Sequence, residues 1–188
     1  MLSLYSVLII IEISLRIRKR LSKMDLQEFI SVTPTRVEDL TYILNLESDS
    51  ENKPYIVSWT DQEHREAITN PNIYHAILKN NETEKNIGFL ILVGLRNKHQ
   101  SLEFLRLVIE EKGKGYGQKA LEWSQRFAFK TLGFHRLWLD VKTENQRALN
   151  LYKRMGFKEE GTLRDCLKTP SGYDSLIVLS LLKTEWPT

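Results

Sequence analysis

The stretch Leu102-Glu-Phe-Leu-Arg-Leu-Val-Ile109, followed by Lys112-Gly113-Lys114-Gly115-Tyr116-Gly117, decides how this chain is read. The first part is an apolar run of strand length. The second crowds three glycines between and beyond two lysines. After it, Ala120, Leu121, Phe127 and Ala128 recur at helical spacing, and Gly133 stops a helix expected from about Gly115 to Leu132. A strand feeding a Gly-rich turn that opens a helix leaves the first backbone N–H groups of that helix unpaired. Glycine lets a ligand approach the backbone, and the helix dipole favours an anion such as a pyrophosphate. A plain tight turn into a helix is the alternative, and it accounts less well for the flanking lysines.

Outward from this loop the chain alternates strands and helices. Downstream, Arg136–Val141 reads as a strand with Leu137, Leu139 and Val141 on one side. Thr143-Glu-Asn-Gln146 has the spacing of a capping box. It opens a helix running to Met155, which Gly156 closes. Two closing strands are expected near Phe157–Leu163 and Ser175–Leu181. Upstream, Ile73–Leu78, Asn86–Leu95 and Leu102–Ile109 form three consecutive strands separated by polar turns. Two more capping boxes are expected at Thr35–Glu38 and Thr60–Glu63, and a first strand at Glu28–Thr33. Pro54 keeps Asn52–Ile56 extended. The fold class is mixed α/β.

The 188 residues suit one domain; 41% are hydrophobic and 27% charged, ordinary for a globular chain. The single cysteine, Cys166, excludes an internal disulfide and fits a cytoplasmic location. His64, His75, His99 and His135 are scattered, so no metal site is expected. The net charge of +3 is concentrated at Arg16, Arg18, Lys19, Arg20 and Lys23, which leaves the remainder nearly neutral and gives no sign of nucleic-acid binding. Met1–Leu15 is apolar but too short to span a membrane. Residues 1–24 are expected to be an extension upstream of a start at Met24, or else a short membrane-surface anchor. The domain proper is expected over 25–188.

The loop alone leaves its ligand open. Gly115-Tyr-Gly117-Gln-Lys-Ala120 also fits a dinucleotide fingerprint, with Asp140 placed as a ribose-binding acid. Too few βα units follow it for a doubly wound sheet, and no P-loop pattern occurs.

Asn145, Ala148 and Tyr152 share one helix face. By pattern alone, Tyr152 is a partly buried residue of an amphipathic helix. Together, however, the loop and the run Asn145-Gln-Arg-Ala148 … Tyr152-Lys-Arg-Met-Gly156-Phe157 resemble the two signature motifs of the GNAT superfamily of N-acetyltransferases. Lys112 stands where that family usually has Gln or Arg. The tail, Gly172-Tyr-Asp174 and Leu182–Trp186, is similar to the branch containing ribosomal-protein N-terminal acetyltransferases. The resemblance spans about residues 28–186.

It implies a mixed, mostly antiparallel sheet flanked by helices and splayed at an acetyl-CoA site. It implies acetyl transfer to a primary amine by direct attack, without an acyl-enzyme. The acetyl-CoA contacts would come from Leu107, Val108 and Ile109 on the strand, from Lys112, Gly113, Lys114, Gly115, Tyr116, Gly117 and Gln118 at the loop, and from Asn145 and Ala148. Tyr152 would protonate the departing thiolate, and Glu103 would be the base unless water serves.

The acceptor would lie against Asn52–Trp59, where Tyr55 and Trp59 are candidate liners. Glu47, Asp49 and Glu51 suggest a place for a polycation. A small-molecule amine or a protein N-terminus both fit, and a homodimer is compatible. The rival readings are a non-catalytic acyl-CoA-binding module and the dinucleotide-binding domain.

Overall fold

The computed structural model describes residues 29–170 and 172–187. The expectation for residues 1–24 lies outside the described residues, as does the first residue, Glu28, of the expected first strand, whose described part forms β1. The chain forms a seven-stranded sheet. Its strands are β1 (Ile30–Pro34), β2 (Ile73–Asn80), β3 (Asn86–Val93), β4 (Ser101–Ile109), β5 (Arg136–Lys142), β6 (Lys158–Thr169) and β7 (Gly172–Leu182), in the order β1-β2-β3-β4-β5-β7-β6. The helices are α1 (Leu40–Ser48), α2 (Asp61–Thr69), α3 (Tyr116–Arg126) and α4 (Gln146–Arg154).

The connections dictate the pairing. Short polar turns join β2 to β3 and β3 to β4, and those pairs are antiparallel. The β4-to-β5 connection carries α3 and gives a parallel pair. A sheet with so little parallel character is not the doubly wound sheet of a dinucleotide-binding domain.

Each sheet face has its own core. Leu90, Leu92, Leu102, Phe104, Leu137 and Leu139 meet Trp123 of α3 and Leu149 of α4 on one face. Ile77, Phe89, Ile91 and Val108 meet Leu40 and Ile43 of α1 on the other. The uninterrupted apolar run of β3 follows from burial on both sides. At its end α3 widens into a π-helical turn, Phe127–Thr131, where Leu132 N–H reaches Phe127 O at 2.9 Å. The wider turn accommodates Phe127, Ala128 and Phe129, three successive buried residues.

Four local expectations are corrected. Asn52–Ile56 is not extended: Lys53–Tyr55 forms a 3-10 turn, whose early positions tolerate Pro54 because its missing N–H would be unpaired there. Thr35 does not cap a helix: its hydroxyl lies 2.9 Å from His75 Nδ1, and one residue later Arg36 N–H donates to Asp39 Oδ2 at 2.8 Å. Thr143 does not cap α4 either; Asn145 Oδ1 accepts from Ala148 N–H at 3.1 Å. Both sequences carry the right spacing, but the hydroxyl goes to a better-buried partner or the helix starts later. The closing hairpin is longer than its apolar residues suggest, because β6 is exposed along most of its length. Glu160 of β6 stitches this hairpin to β5. It accepts from Arg136 Nη2 at 2.7 Å and from Ser180 Oγ at 2.6 Å, and these bonds hold its carboxyl down at about 2. The box at Thr60 forms as read, with Thr60 N–H donating to Glu63 Oε2 at 2.7 Å.

Two features of β4 create the site. It pairs with β5 only from Ser101 to Glu103, against Arg136 to Trp138, and beyond that the strands diverge. Against β3, Ile91 pairs with Arg106 but Leu92 with Phe104, so Leu105 is an inserted bulge residue. Leu105 joins Val108 in the second core, while Leu107 and Ile109 pack against the first.

Candidate active site

The divergence of β4 and β5 opens a cavity of about 560 Å³. Its walls are Phe104–Ile109 of β4, Asp140–Lys142 of β5, the Gly-rich loop with the start of α3, the inner face of α4, and Glu51, Asn52 and Tyr55–Val57.

Gly113 and Gly115 have φ of +80° and +78°, the left-handed region that suits glycine. A Cβ at either would meet nothing within 4 Å. Their role is thus conformational, turning the chain so that α3 begins facing the cavity. Gly115 is the N-cap of α3 and supplies no side-chain cap, whereas Thr60 caps α2 and Asn145 caps α4. The N–H groups of the first turn of α3 are therefore left for an anion, which fits a pyrophosphate. Gly117 is in ordinary helical conformation, and a Cβ there would just touch Leu151 Cδ2 at 3.4 Å.

Of the residues expected to hold the cofactor, Leu107, Val108, Ile109, Lys112, Gly113, Gly115, Tyr116, Gly117, Gln118, Asn145 and Ala148 all line this one cavity. Lys114 does not; it is exposed and pairs with Glu111. Tyr116 contributes backbone only, since its side chain is buried, stacked on Phe29 and bonded to Asn80 Nδ2 at 3.1 Å. Lys112 has turned inward. Its Nζ donates to Asn52 Oδ1 and Ile109 O, each at 2.6 Å, and burial draws its pKa below the usual lysine value. It therefore ties the segment after α1 to the end of β4.

Tyr152 projects from α4 into the cavity and is 9% exposed. Burial, and then the charge of Asp140, raise its pKa, so the phenol keeps its proton. Asp140 lines the cavity just beyond the last β4–β5 pair, and burial raises its carboxyl above the usual aspartate value.

Glu103 is set apart. It belongs to the last paired stretch and lines a separate hollow with Asn72, Arg96, Asn97 and Trp138. Its pKa is raised by burial and by Asp140. Of the carboxylates lining the cavity, Glu51, Glu111 and Asp140, the one whose charge acts on Tyr152 is Asp140, which sequence reading noticed only as a ribose ligand of the dinucleotide alternative. Its position opposite the inward residues Leu137, Leu139 and Val141 was the available signal.

Tyr55 lines the cavity, whereas Trp59 packs into the second core. Glu47 is withdrawn from any polycation: it is 2% exposed and its Oε1 accepts from Arg106 Nη1 at 2.5 Å. Losing one partner of such a buried pair costs about 3–5 kcal/mol. Arg106 was not foreseen as a site residue, and it lines the cavity.

A match to the acetyltransferase (GNAT) family covers residues 40–157, which includes the loop, the diverging strands and α4. The chain belongs to the GNAT family. It is an acetyl-CoA-dependent N-acetyltransferase, so the rival reading as a non-catalytic module gives way to an enzyme.

Among its relatives, spermidine N(1)-acetyltransferase of Vibrio cholerae serotype O1 is 28% identical over 158 residues, covering 79% of this chain and 90% of that protein. The ribosomal N-acetyltransferase-like YdaF of Bacillus subtilis (strain 168) is 34% identical over 100 residues, covering 53% and 55%. The crystal structure of the Vibrio cholerae spermidine N-acetyltransferase with CoA and spermine superposes with a TM-score of 0.75, at 23% identity, over 85% of this chain and 98% of that one. This likeness shows the shared GNAT fold. Among the described residues, no helix is long and apolar enough to cross a membrane, and no group of three or more His, Cys, Asp or Glu is placed for a metal ion.

Proposed function

We propose that this GNAT enzyme acetylates a small aliphatic di- or polyamine, with Tyr152 as general acid and Asp140 as the carboxylate that receives and relieves the incoming ammonium. The observation that carries the reading is the meeting, in one cavity, of the uncapped start of α3, the buried phenol of Tyr152 and the half-buried carboxylate of Asp140. The bound cosubstrate supplies an activated acetyl thioester. The first turn of α3 and the Gly-rich loop hold its anionic end. Unpaired backbone of β4 beyond Glu103 offers N–H groups for the acyl oxygen. Asp140 stabilises the protonated amine on arrival and accepts its proton. Tyr152 delivers a proton to the sulfur as the C–S bond breaks, and its oxygen is reprotonated by the second proton that the attacking nitrogen loses as the amide forms. Among the described residues lining the cavity there is no Ser, Thr, Cys or His, which supports direct attack by the amine.

The acceptor class is favoured by Glu51 and Glu111 at the cavity, which with Asp140 could receive further ammonium groups, and by the spermidine N(1)-acetyltransferase relative. A protein N-terminus is the second reading, and the local similarity to YdaF favours it. A panel of spermidine, putrescine, monoamines and N-terminal peptides, followed by release of free thiol, decides between them. Spermidine is expected to give the highest kcat/KM; a peptide that exceeds it would transfer the assignment to the second reading.

The pH dependence follows from the direction of the shifts. The raised pKa of Asp140 means that its carboxylate is lost as pH falls through a value above the usual aspartate range. The titratable groups coupled to it are Glu103 of β4 and Tyr152 of α4, while the cavity cations Arg106 and Lys142 are paired with Glu47 and Asp174. Asp140→Asn should reduce the rate by about 10²-fold near neutral pH. The loss should shrink at pH near 10 and above, where the free amine predominates. Glu103→Gln, outside the cavity, should cost far less. Equal losses in the two variants, or none in Asp140→Asn, would remove Asp140 from this role.

A further inference from the structure

Behind the acceptor side of the cavity lies a continuous line of buried polar groups that the chemistry above does not use. Thr35 Oγ1 is 2.9 Å from His75 Nδ1, His75 Nε2 is 2.9 Å from His64 Nδ1, and His64 Nε2 faces Glu47 Oε1 at 3.5 Å. Glu47 then accepts from Arg106 Nη1 at 2.5 Å and, through Oε2, from Trp59 N–H at 2.9 Å. Arg106 Nη2 donates to Val57 O, and its guanidinium lies 4.6 Å from the centre of the Trp59 ring. Thr35, His75, His64, Glu47 and Arg106 are all buried.

The line runs from Thr35 through His75 and His64, whose Nε2 stands nearest to Glu47 Oε1. Burial and the nearby charges of His64 and Arg106 push His75 down to about 3, so it adds no positive charge. The line ends at Glu47. That one side chain both fixes the segment ending at Trp59, by accepting from the Trp59 N–H, and pairs with Arg106, the guanidinium that joins β4 to Val57 O of that segment.

We propose that Glu47 is a positioning and specificity-determining residue: by holding and neutralising Arg106 it lets a cationic acceptor occupy the cavity against Val57 and the bulge of β4. This rests on the amine-acetylation reading. Without the Glu47 charge, a buried guanidinium would face the incoming ammonium in a medium of low effective dielectric, where repulsion is much stronger than in water. Such repulsion grows with the charge of the acceptor. A packing role for Glu47 would not discriminate by charge.

The test compares spermidine with n-butylamine in steady-state kinetics, alongside calorimetry with acetyl-CoA. Glu47→Gln should raise KM for spermidine tenfold or more and KM for butylamine clearly less, with the acetyl-CoA Kd held within about twofold. The double variant Glu47→Gln/Arg106→Gln removes both charges. It should abolish the difference between the two amines and leave an equal, smaller rise in both, reflecting the lost tether to Val57.

A folded Glu47→Gln with an unchanged ratio of the two KM values overturns the proposal. So does a double variant that keeps the charge discrimination. If Glu47→Gln does not fold, Glu47→Asp carries the test: it keeps the charge and shortens the reach, so both KM values should rise by the same factor, and wild-type values would overturn the proposal. A wild-type protein that releases no thiol with any amine would instead bring down the acetylation reading, and this inference with it.

Discussion

Tyr152→Phe should lower kcat by about 10²–10⁴-fold, the usual worth of a positioned general acid, while acetyl-CoA affinity stays as in wild type. The substitution keeps the ring in its place beside Phe157, whose centroid is 6.1 Å away, and removes only the hydroxyl. Because burial and Asp140 raise the phenol's pKa, the proton is present throughout the working range, and no alkaline loss of activity should arise from Tyr152 below pH 10. Stopped-flow thiol release and calorimetry on the same variant measure the two quantities. A kcat within a factor of a few of wild type would leave Tyr152 as a packing residue of α4.

Gly115→Val should abolish measurable acetyl-CoA binding. Open space surrounds the missing Cβ, so no clash is expected; the cost comes from the φ of +78°, which a β-branched residue adopts only under strain. Relaxing that strain turns the first N–H groups of α3 away from the phosphates. Hydrogen bonds to charged groups contribute about 1.5–3 kcal/mol each, so losing two weakens binding by roughly 10²-fold or more. Gly117→Ala is the informative contrast. Its backbone is ordinary helix and its new methyl would touch Leu151 at 3.4 Å, so a smaller loss is expected. Circular dichroism and thermal unfolding establish that each variant is folded. Wild-type affinity in a folded Gly115→Val protein would detach the loop from the cofactor.

The order of strands and helices was legible because periodicity and glycine punctuation are local signals. Gly115, Gly133 and Gly156 each mark a helix boundary, all with positive φ. The loop and the Asn145–Tyr152 face were legible for the same reason. Contacts made across the sheet were not. Glu47 and Arg106 are 59 residues apart, and an acid in a helix pattern reads as a solvated side chain. Lys112 read as a phosphate ligand because its neighbours are glycines, yet its partner is Asn52, 60 residues earlier. Glu103 and Asp140 differ by which side of a three-residue contact they occupy, and nothing within either strand announces where that contact ends. The caps at Thr35 and Thr143 show the converse. Spacing specifies that a cap can form, and the surrounding packing decides whether the hydroxyl is free to make it.

The short β4–β5 contact also bears on how the chain finds its shape. On one side of it, β1 to β4 pair antiparallel with their neighbours; on the other, β5, β7 and β6 do the same. Within the first group β2, β3 and β4 close through short turns of low entropic cost, and within the second β6 and β7 do likewise. The seam between the groups has three residue pairs and must wait for the α3 crossover to be laid down. Contact order thus predicts two nearly self-sufficient halves that form first and join late along this seam, the line that opens into the cavity.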